Sequence, residues 1–69
     1  MKMLGIRKGF RVGNRVVTGR YFGQYVVDNY DDDDRLVGHS ILSEAEIRHA
    51  IHDETGKFYD TLVYEEEEE

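Results

Sequence analysis

Four consecutive carboxylates, Asp31, Asp32, Asp33 and Asp34, with Asp28 just before them, are the residues of this chain best suited to charge chemistry. Oxygen ligands suit a hard divalent cation, but the twelve residues that start at Asp31 end at Leu42. The glycine at the sixth position and the glutamate at the twelfth that a calcium loop needs are both missing. A second chemistry follows from spacing. An extended chain advances about 3.3 Å per residue, close to the ~3.4 Å rise per nucleotide of one DNA strand, so an extended acidic run approximates a row of phosphates. Asp53, Glu54, Asp60, Glu65, Glu66 and Glu67 would widen that anionic face. A basic protein shaped to receive DNA is the partner such a face would suit.

Other constellations are thinner. His49 and His52 are three apart on an expected helix beside Asp53, yet a zinc site would need further ligands, with only His39 or a carboxylate to supply them. Ser40 and Ser43 lack an elbow motif, and the glycines form neither a dinucleotide fingerprint nor a Walker loop. The expectation is a protein that is not an enzyme and uses no metal or cofactor.

The chain has 69 residues, no Cys, no Pro, 39% hydrophobic residues and a net charge of −6. That charge is sorted along the sequence. Residues 1–27 hold Lys2, Arg7, Lys8, Arg11, Arg15 and Arg20 and no acid, while residues 28–69 set Arg35, Arg48 and Lys57 against all fifteen acids. Such asymmetry suggests a charged partner or pairing between the two halves across a sheet. A nucleic-acid or ribonucleoprotein binding module is the alternative, with Arg7, Lys8, Arg11, Arg15 and Arg20 interleaved with Tyr21, Tyr25, Tyr30, Tyr59 and Tyr64. Without cysteine there is no disulfide framework, and no apolar run resembles a signal peptide or a membrane span. The reducing cytoplasm is the expected compartment, with no membrane involved.

These residues need elements to hold them. Gly13-Asn14 between Phe10-Arg11-Val12 and Arg15-Val16-Val17 predicts a two-residue hairpin turn, and Thr18-Gly19-Arg20 a second reversal. Tyr21–Val27 reads as one strand bent at Gly23, Asn29–Asp34 as an acidic loop, Arg35–Leu42 as a strand and Phe58–Tyr64 as the last strand. Ser43-Glu44-Ala45-Glu46 is a capping box, with Ile47, Ala50 and Ile51 forming an apolar helix face and Gly56 a stop. The expectation is one α+β domain over residues 1–64 and an acidic tail over 65–69. Its fold would be a small curled antiparallel sheet with one short helix, and the glycine and valine spacing from Gly9 to Val27 resembles an SH3-like partial barrel.

In size, acidity, lack of Cys, the cluster Asp31 to Asp34 and the tail Glu65 to Glu69, the chain resembles the small acidic phage proteins that act as DNA mimics. These include host-takeover inhibitors of the nucleoid-associated protein HU. The resemblance implies an inhibitor in the host cytoplasm that occupies the DNA-binding surface of a basic HU-like protein. It also implies no direct contact with nucleic acid, and a homodimer.

Overall fold

A computed structural model describes residues 2–65 and has the α+β architecture expected. Strands β1 (Met3–Ile6), β2 (Arg11–Val12), β3 (Arg15–Tyr21), β4 (Gln24–Tyr30) and β5 (Leu36–Leu42) precede helix α1 (Glu44–Thr55) and strand β6 (Thr61–Tyr64). The central four, β2-β3-β4-β5, form an antiparallel sheet in sequence order, and β1 pairs in parallel with β6. The sheet does not close into a barrel.

Alternation along β4 sets the two faces of the sheet. Tyr25 and Val27 are fully buried, while Gln24, Val26 and Asp28 point to the other side. Val17 of β3, which pairs with Val27, joins the buried set, as do Ile47 and Ile51 of α1, Ile6 of β1 and Leu62 of β6. One face of the sheet is therefore covered by the helix and the parallel pair. The Tyr25 hydroxyl has no hydrogen-bond partner among the described residues. Burial pushes its pKa up, and nearby Arg20, whose guanidinium lies 5.7 Å from the ring centre, pulls it partly back.

The helix starts and stops where its sequence says it should. Ser43 Oγ accepts the Glu46 N–H, Glu46 Oε1 accepts the Ser43 N–H, each at 3.2 Å, and Gly56 ends the helix with its N–H donating to the His52 carbonyl. Ser43→Ala should cost about 1 kcal/mol, the usual cost of losing an N-cap. Thermal denaturation equal to that of the parent would contradict this.

Three local readings need correction. Gly23 is not a bulge inside one strand: Tyr21 pairs with Gln24, so Phe22-Gly23 is a two-residue hairpin turn separating β3 from β4. Thr18-Gly19-Arg20 is not a reversal. It is the bulged part of β3, where the register shifts between Val17 and Gly19 and the Thr18 hydroxyl bonds the Val26 carbonyl at 3.3 Å. Strand β1 was not anticipated, and the last strand begins at Thr61 rather than Phe58.

The Phe22-Gly23 turn is strained. Both residues have positive φ, 49° and 77°, as a type I′ turn demands, but a bulky side chain at the first position is unfavourable. Phe22 gains little in return because it is 86% exposed. Phe22→Asn should stabilise the fold by about 1 kcal/mol, seen as a higher midpoint in urea. A lower midpoint would show that the ring packs usefully against Tyr21, its edge-to-face neighbour.

Candidate protein-binding surface

The acidic run lies between β4 and β5, and its own backbone closes it into a tight loop. Asp31 N–H donates to the Arg35 carbonyl at 2.9 Å, and Asp31 Oδ1 accepts the N–H groups of Asp33 and Arg35, both at 2.9 Å. This is the local carboxylate-to-backbone bonding that makes Asp a turn former. Asp34 takes a left-handed conformation with φ 65° and accepts a 2.9 Å hydrogen bond from Arg11. The same guanidinium donates from Nε to the Gly13 carbonyl and lies 5.9 Å from the Tyr30 ring centre. The expectation of an extended phosphate-like row is thus overturned. Asp31 and Asp34 hold the loop together, leaving Asp32 and Asp33 exposed at its tip.

A second acidic segment comes to the same place. The β2–β3 turn touches the loop, because Tyr30 N–H donates to the Asn14 carbonyl at 2.7 Å and Asn14 Nδ2 lies 3.5 Å from Asp32 Oδ1. The end of α1 also approaches this turn, where Glu54 Oε2 would be 3.4 Å from a Cβ placed on Gly13. Val12, Gly13, Asn14, Arg15, Ala50, Asp53 and Glu54 line a shallow groove of about 290 Å³ there. Asp32, with Asp33 next to it in the loop, therefore reaches the Gly13-Asn14 turn, and Asp53 and Glu54 share a groove with the same turn. None of these four carboxylates is in a salt bridge among the described residues, and all four residues are exposed. Arg15 lines the same groove, and the Arg11 guanidinium holds the Gly13 carbonyl of the turn.

The other acids named from the sequence do not join this edge. Asp28 is on the uncovered face of the sheet, with His39 Nδ1 2.7 Å from its Oδ1. Asp60 accepts the Lys2 N–H just before β6, and Glu65 pairs with Arg7 at 3.1 Å just after it. Glu66 and Glu67 lie outside the described residues.

Three of the six cations in residues 1–27 make side-chain contacts within the molecule. Arg7 is paired with Glu65, Arg11 with Asp34, and Arg20 lies over Tyr25 on the covered side. Tyr25 is buried, while Tyr59 and Tyr64 pack against the core. Tyr25, Tyr59 and Tyr64 are therefore not exposed stacking residues of a basic and aromatic platform. His49 and His52 do share a helix face, lining a groove of about 230 Å³ with Ala45, Arg48 and Phe58. Among the described residues, no group of three or more His, Asp or Glu is placed to hold a metal ion. No described helix is long and apolar enough to cross a membrane.

Sequence reading missed the apolar side chains left outside. Leu36, Val37 and Ile41 of β5 are 51%, 64% and 55% exposed, and Tyr21 and Phe22 form an exposed aromatic hairpin tip. The signal was available in Arg35–Leu42, which is apolar without the strict alternation of a half-buried strand. No family model, curated protein or solved structure matches this chain.

Proposed function

We propose that this chain is a DNA-mimic inhibitor that binds the DNA-binding surface of a basic, HU-like nucleoid-associated protein and excludes DNA from it. The observation that carries the reading is the convergence of Asp32 and Asp33 with Asp53 and Glu54 around the Gly13-Asn14 turn. These residues come from segments some twenty positions apart, and together they make one anionic edge on a chain of net charge −6. Carboxylates without cationic partners on such an edge can replace phosphates in a basic groove, with the salt dependence of a phosphate contact. The pairing of Arg7 with Glu65 and of Arg11 with Asp34 supports the same reading, since it offsets two of the nine cations that would repel a basic partner.

Calorimetric titration of an HU-type protein, run beside a gel shift with DNA alone, tests the proposal. The expected result is binding to the basic protein that weakens steeply with salt, and no retardation of free DNA or RNA. Retardation of nucleic acid by the chain itself would overturn the mimic. It would favour a binding module using Arg7, Lys8, Arg11, Arg15 and Arg20.

A further inference from the structure

Strand β5 is an outer strand of the four-stranded sheet, and among the described residues its only strand partner is β4. Edge strands of natural proteins are usually blunted by lysine, proline, inward-pointing charge or a bulge. Leu36–Leu42 contains only the last of these. Its sole titratable side chain, His39, is already beside Asp28. A bulge near Val37 shifts the register at one end, leaving Gly38 to Leu42 regularly paired with β4.

The order of residues along this edge says what would cover it. Leu36-Val37-Gly38-His39-Ser40-Ile41-Leu42 reads the same in both directions by residue class: two aliphatics, a small residue, His39, a small residue, two aliphatics. In antiparallel pairing about a two-fold axis, residue i of one copy meets residue j of the other, and j meets i. With the axis at His39, Leu36 meets Leu42 of the second copy, Val37 meets Ile41, Gly38 meets Ser40 and His39 meets itself. The two most exposed aliphatics of the strand, Val37 and Ile41, thus cover each other. A one-residue shift of the axis breaks this matching, opposing His39 to Ile41 or Val37 to His39.

We propose that β5 is a self-complementary edge that joins two copies of this chain, antiparallel and centred on His39, into one continuous eight-stranded sheet. The inference rests on the strand alone and stands apart from the reading of the carboxylate edge, since no Asp or Glu lies within β5.

The chain has no cysteine, so single cysteines report the register directly. Directly opposed residues of an antiparallel pair have Cα atoms about 4.5 to 5.5 Å apart, within disulfide range. His39→Cys should oxidise to a covalent dimer. Ser40→Cys should not, because its counterpart is offset by two residues, or roughly 6.8 Å along the strand. In parallel, light scattering on the parent should show a dimer, and Ile41→Lys should weaken association at least tenfold while circular dichroism retains the parent's spectrum. A parent that stays monomeric up to millimolar concentration, with no cross-linking of His39→Cys above the Ser40→Cys level, would overturn the proposal. Preferential cross-linking at Ser40→Cys would overturn the register.

Discussion

Replacing Asp32, Asp33 and Asp53 with Asn and Glu54 with Gln should lower the affinity for an HU-type protein about a hundredfold at low salt. Each exposed charge contact contributes roughly 0.7 kcal/mol, and 1.4 kcal/mol is a factor of ten, so four of them together reach about two decades. The association rate should fall with the affinity, because long-range attraction steers a basic partner toward an anionic edge. The slope of log affinity against log salt should also flatten. At about 0.15 M salt the Debye length is roughly 8 Å, so the parent and the variant should converge as salt is raised. A contrasting pair sharpens the test. Asp31 and Asp34 face their own loop and Arg11, so replacing both with Asn should lower stability more than the fourfold variant does and binding less. Stopped-flow association and titration at two salt concentrations measure these effects. Equal loss of binding from the two variants would show that total charge matters, not the edge.

Ile47→Ala should remove about 3 kcal/mol of stability. Ile47 is buried, on the helix face that packs against the sheet, and truncation loses both the transferred methyl groups and the packing around the cavity left behind. A domain of this length is stable by only roughly 3 to 10 kcal/mol in all, so the variant should lose about a third or more of its stability. Urea denaturation followed by circular dichroism would measure this. A loss below about 1 kcal/mol would mean that α1 does not seal the core.

The parts legible in the sequence were those with local causes. Ser43 and Glu46 announce the helix because both partners of the capping box lie within one turn, and Gly13-Asn14 announces its hairpin because the turn needs a residue tolerant of positive φ. The short parallel pair was not legible. Met3–Ile6 becomes a strand only through Thr61–Tyr64, 58 positions away, and four residues with two aliphatics inward carry no periodic signal. Phe22 hid the second hairpin, since a bulky residue is seldom found where φ must be positive. Charge alone suggests an extended acidic run, whereas Asp31 bonds its own loop backbone, a tendency that Asp shares with Asn and Ser. Its meeting with Asp53 and Glu54 depends on where the sheet lays the end of the helix, and no window of sequence contains that.

The central claim is that the edge formed by Asp32, Asp33, Asp53 and Glu54 takes the place of DNA on a basic partner. The most direct measurement is a competition titration, in which fluorescent duplex DNA bound to an HU-type protein is released by increasing amounts of this chain at low salt. The expected result is complete release by the folded parent, loss of that release as salt rises, and release only at far higher concentration by the fourfold variant. Retention of the DNA at every ratio, by a sample whose circular dichroism shows it folded, would contradict it.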